Sequence, residues 1–119
     1  MKTFVFISAI LTTLAFTTTE ELTGRWESKS ETGTITGIVF KPDTSFEGYI
    51  NKKPFVSGTY TYTPEDSVFS FVDNGCDGAR GIYKIKFYSA ADSMRFEVIS
   101  DSCTQRKEGI QRLIMGRVK

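Results

Sequence analysis

From Gly24 onward, no stretch of this chain carries apolar residues at helical spacing for more than about a turn, while short runs of β-branched and aromatic residues recur between turn signals. That pattern admits an all-β fold and little else. Eight segments stand out: GRWESK, TITGIVFK, SFEGYI, VSGTYTYT, SVFSFV, GIYKIKFYS, SMRFEVIS and GIQRLIMGRV. The residues between them, ETG, KPDT, NKKP, PEDS, DNGCDGA, AAD and DSCTQRKE, are rich in Gly, Pro, Asp and Asn, the residues that turns demand. Short connections between sequential strands make antiparallel neighbours. Eight such strands remove both sheet edges by closing on themselves. The sequence therefore predicts an eight-stranded antiparallel up-and-down meander barrel.

Period-two alternation identifies the buried face of several strands. Phe46 and Ile50 share a face with Gly48; Tyr83, Ile85 and Phe87 oppose Lys84 and Lys86; Met94, Phe96 and Val98 oppose Arg95 and Glu97. The fifth segment (Val68, Phe69, Phe71, Val72) and the eighth (Ile110, Leu113, Ile114, Met115) are apolar on both faces, so alternation leaves their registers open. In the fourth, either Tyr60 and Tyr62 or Thr59 and Thr61 point inward.

The N-terminal MKTFVFISAILTTLAFTTTEE reads Lys2, an apolar run from Phe4 to Phe16, then small polar residues. This order is that of a secretory signal peptide, and the run is too short for a stable membrane-spanning helix. The expected division is a signal peptide over 1–17, cut after Ala15 or near Thr17, and one barrel domain over 18–119. A first core strand or a membrane anchor is the competing reading. No Cys follows the run to carry a lipid, so the product is expected to be secreted or periplasmic.

Export also bears on Cys76 and Cys103. In an oxidising compartment a small core gains from a staple, and two Cys without any His cannot build a zinc site. In a meander every odd-numbered strand ends at the same rim, so the loops after strands five and seven, which hold Cys76 and Cys103, lie together. A disulfide between them is expected, with free thiols as the alternative.

Gly24, Arg25 and Trp26, at the first strand of a small exported meander, match the G-x-W signature of lipocalins and related calycins, and the chain resembles that family. IVFKPDTSFEG, SGTYTY and SDSCTQR look like small secreted bacterial lipocalin-like proteins. The resemblance implies that Trp26 plugs one end of the barrel and that an Arg of the last strand packs across its face by a cation-π contact. Strand eight ends where strand one begins, which selects Arg117 over Arg112. The chain departs from an ordinary lipocalin in being shorter, in offering no segment for a helix on the barrel wall, and in lacking the T-D-Y motif.

Composition narrows the chemistry. The chain has no His, which removes the commonest general base and metal ligand, and it shows no Gly-rich phosphate loop after a strand. Within DNGCDG, Asp73, Asp77 and Gly78 fall at the first, fifth and sixth places of a calcium loop, but Gly75 holds the third and Lys84 stands where a bidentate Glu belongs. Glu65 and Asp66 read as a turn in water. No enzyme, metal or cofactor is expected. A formal net charge of +1 with interspersed signs provides no basic stripe for nucleic acid.

Two classes remain. In the first, which the resemblance implies, the barrel carries or sequesters one small, largely apolar molecule entering at the Cys-bearing rim, with Phe46, Tyr60, Tyr62, Phe87 and Phe96 as pocket residues. In the second, Trp26, Phe40 and these rings fill the interior, and the protein is an interaction module or inhibitor that meets a protein partner through rim residues such as Asp77, Arg80 and Lys107.

Overall fold

The turns show why the chain doubles back where it does. After Pro42, the Asp43 carboxylate accepts hydrogen bonds from the Ser45 amide at 2.9 Å and the Ser45 hydroxyl at 2.6 Å, closing a tight reversal in which Thr44 takes a φ of 71°. Asn51 and Lys52 both have positive φ, 49° and 73°, the signature of a two-residue hairpin turn whose twist matches its strands. The Asn51 side chain also accepts from the Ile35 amide at 2.9 Å.

The computed structural model describes residues 22–119. The expected signal peptide over 1–17 lies outside them. In order, the elements are β1 (Gly24–Lys29), β2 (Ile35–Phe40), β3 (Ser45–Ile50), β4 (Lys53–Thr63), β5 (Val68–Asp73), a single 3₁₀ turn (Cys76–Gly78), β6 (Gly81–Tyr88), β7 (Ser93–Ser100), α1 (Thr104–Gln111) and β8 (Ile114–Arg117). Each strand pairs antiparallel with the next, and β8 returns to β1 with Arg117 opposite Trp26, so the sheet is a closed up-and-down barrel. No helix among the described residues is long and apolar enough to cross a membrane.

Two elements differ from expectation. β4 begins three residues early, at Lys53, because the Asn51–Lys52 turn is tight enough for pairing to start at once. The early start places Pro54 in the strand, and the register slips there: Gly48 pairs with Val56 and Tyr49 with Pro54, which bulges Phe55 outward to 68% exposure. The larger difference concerns the segment expected as strand eight from Gly109. Thr104–Gln111 is an α-helix, and only Ile114–Arg117 pairs as a strand. TQRKEGIQ holds good helix formers but no apolar stripe, because α1 lies across a rim and the face it turns to the cavity carries Gln105, Arg106, Gly109 and Ile110, of which only Ile110 is apolar and large.

The core settles the open registers. Tyr60 and Tyr62 are buried while Thr59 and Thr61 are exposed; Phe69 and Phe71 point inward from β5; Met115 is buried while Ile114 is exposed. Aromatic rings fill much of the interior, Phe40 meeting Phe69 edge-on at 5.6 Å, Tyr83 meeting Phe96 edge-on at 6.3 Å and Phe69 stacking on Phe71 at 5.2 Å between centroids.

Candidate functional site

The two ends of the barrel are built differently. At the end where β1 begins, Trp26 is fully buried and donates from Nε1 to the Leu22 carbonyl at 2.9 Å. The Arg117 guanidinium lies over its ring, 4.2 Å from the centroid, and donates to the carbonyls of Thr23 at 3.0 Å and Ala91 at 3.2 Å. Phe87 packs on Trp26 at 6.2 Å and Tyr62 on Phe87 at 6.4 Å. The Tyr60 hydroxyl donates to the Lys41 carbonyl at 3.1 Å. This end is closed.

At the opposite rim the loops after β5 and β7 meet, and Cys76 and Cys103 are joined by a disulfide with their Cα atoms 5.9 Å apart. Below them is a cavity of about 640 Å³, the size of a pocket for one small molecule. Its lining includes Phe40, Phe46, Phe69, Phe71 and Phe96 from the core, Ile38, Ile50 and Val56 from β2 to β4, and Ile110 and Leu113 beside the rim. Both cysteines border it. A second hollow, bounded by Arg25, Glu27, Tyr49 and Phe55, lies on the outer wall. Arg25 is exposed and the Tyr49 hydroxyl donates to Glu27, so that hollow is a wet surface groove rather than an interior.

Of the five expected pocket residues, Phe46 and Phe96 border the cavity. Tyr60, Tyr62 and Phe87 face inward too, but are not part of its lining; Tyr62 and Phe87 pack toward Trp26 at the closed end. Alternation tells which side of the sheet a residue occupies, not how deep it lies along the barrel axis, so these three face inward without bordering this cavity.

A buried ionic network braces the open rim. Arg106 donates from Nε to Asp101 Oδ2 at 2.9 Å and from Nη2 to Asp101 Oδ1 at 2.8 Å, and from Nη1 to Asp73 at 3.3 Å. Nη2 also reaches the Ala79 carbonyl at 3.0 Å, and the guanidinium stacks on Phe71 at 4.8 Å. The Asp101 side chain is fully buried and also accepts from the Tyr83 hydroxyl and from the Cys103 amide at 3.0 Å. Burial works against the Asp101 charge, but the hydrogen bonds from Arg106, Tyr83 and Cys103 outweigh it and hold the carboxyl down to about 2. Burial, and then the bond to Asp101, push the Tyr83 hydroxyl up. Gly81 makes room: a Cβ there would sit 2.9 Å from the Phe71 ring and 3.0 Å from Asp101 Oδ2.

Nothing in the sequence singles out Asp101 and Arg106, although both flank Cys103 in SDSCTQR. Their spacing of five says nothing about burial until α1 folds over the rim.

Residues 9–97, well over half of the chain, match the family model described as a domain of unknown function, DUF3994. The chain belongs to the DUF3994 family. In this DUF3994 protein the match runs through β1 to β6 and into β7, and leaves Cys103, α1 and Arg117 beyond its end. No curated protein and no solved structure matches the chain.

Proposed function

We propose that this DUF3994 barrel is an exported, lipocalin-like binding protein that carries or sequesters one small, largely apolar molecule and performs no catalysis. The observation that carries the reading is the cavity of about 640 Å³, open toward the disulfide rim and walled by phenylalanine and aliphatic side chains. The plug of Trp26 and Arg117 at the other end supports it, because a barrel shut below and open above presents one mouth. The disulfide fits an oxidising compartment, extracellular or periplasmic. A barrel filled to both rims and acting by protein contact alone has no use for such a space.

The test is binding of an apolar fluorescent probe. The protein should bind it, and Ile110→Trp, which fills the cavity from α1, should weaken binding at least about tenfold, equivalent to about 1.4 kcal/mol. Lys86→Trp on the outer wall should leave binding unchanged. Equal binding by all three proteins would place the probe elsewhere and defeat the reading.

A further inference from the structure

Strand β5 continues its inward parity past the aromatic core: Phe69, Phe71 and then Asp73 lie on one face, and Asp73 reaches the cavity wall at the disulfide rim. Its side chain is 6% exposed. One oxygen, Oδ1, accepts from the Gly75 amide at 2.9 Å and from Arg106 Nη1 at 3.3 Å. The other, Oδ2, accepts no hydrogen bond among the described residues, yet no fully buried side-chain oxygen there lacks a partner. Oδ2 therefore keeps some exposure, and Asp73 is part of the cavity lining.

The charges at this wall do not balance. Asp73 and Arg106 are the charged residues in the lining. Arg106 commits two of its nitrogens to Asp101, at 2.9 and 2.8 Å, and touches Asp73 only at the longer 3.3 Å. One guanidinium thus faces two carboxylates, and the surplus negative charge falls on Asp73 at the edge of an apolar space. A carboxylate oxygen so placed is stabilised by a donor that water supplies poorly once an apolar ligand fills the cavity.

We propose that the ligand is a cationic amphiphile, an apolar body ending in an ammonium group that donates to Asp73 Oδ2. This deepens the apolar-ligand reading and rests on it. The body lies among Phe46, Phe96, Ile38 and Ile110, and the head sits at the rim beside the disulfide. An anionic head of the same size meets Asp73 as a like charge; a neutral hydroxyl can donate but without the ionic component.

The test uses three probes with one chain length and different heads: n-decylammonium, n-decanol and n-decanoate, each below its micellar concentration, titrated by calorimetry into the oxidised protein at low salt. Decylammonium should bind about tenfold or more tighter than decanol, and decanoate most weakly. Added salt should narrow the gap between the charged heads. Asp73→Asn keeps an acceptor for Gly75 and Arg106 but removes the charge, and should bring decylammonium to the affinity of decanol. If the three heads bind alike, or decanoate binds tightest, the ammonium proposal falls while the apolar-ligand reading stands. If none binds, both fall. Should Asp73→Asn not fold, the head-group order and its salt dependence in the unaltered protein decide the matter alone.

Discussion

Arg106 and Asp101 meet in a two-pronged ion pair inside the open rim, with the Arg106 side chain 8% exposed and that of Asp101 fully buried. The pair spans from α1 to the residue that follows β7, so it ties the helix to the barrel beside the apolar contact of Ile110. A buried pair of this kind contributes little over a well-packed apolar substitute, but removing one partner leaves a charge without compensation.

Arg106→Leu should therefore destabilise the protein by about 3 to 5 kcal/mol, read as a lower urea midpoint at unchanged slope. Arg106→Lys should recover only part of the loss, since a single ammonium cannot copy the fork. An Arg106→Leu protein as stable as the original would mean that the network does not hold the rim.

Acid should find the same pair. Folding lowers the Asp101 carboxyl from its ordinary 3.8 to about 2, so the unfolded chain takes up this proton first. The contribution is complete above about pH 4 and is lost as pH falls toward about 2. Thermal melts across that range should show a steep acid limb, and Asp101→Asn, less stable at neutral pH, should flatten it.

At the closed end, Trp26→Ala should cost about 3 to 5 kcal/mol, because the ring is wholly buried. Arg117→Ala should cost less. A double-mutant cycle should give a coupling of about 0.5 to 2 kcal/mol for the stacked guanidinium. Strict additivity would contradict the contact.

The disulfide closes a stretch with a sequence separation of 27, and its loss should cost about 3 to 4 kcal/mol if chain entropy dominates. Cys103 immediately precedes α1, so reduction should also speed amide exchange in Thr104–Gln111 before it affects β1 or β8. Uniform acceleration across the barrel would mean that the bond stabilises the whole fold and not the rim.

What the sequence determined by itself was the pattern that depends on near neighbours. Turn residues such as Pro42–Asp43 and Asn51 set where strands end, and period-two alternation sets which side is wet, so strand number, order and closure could be read without coordinates. Parity then brings Cys76 and Cys103 to one rim and strand eight's late Arg to the other. The tertiary structure alone decided depth and helix. Tyr60, Tyr62, Phe87, Phe46 and Phe96 all face inward, yet only the stagger of closed strands sends Phe46 and Phe96 to a cavity and packs Tyr62 and Phe87 beneath it. Thr104–Gln111 has no apolar stripe to announce a helix, because what it buries is a guanidinium. The partners of that guanidinium, Asp101 and Asp73, come from the ends of two other strands, which only barrel closure brings together.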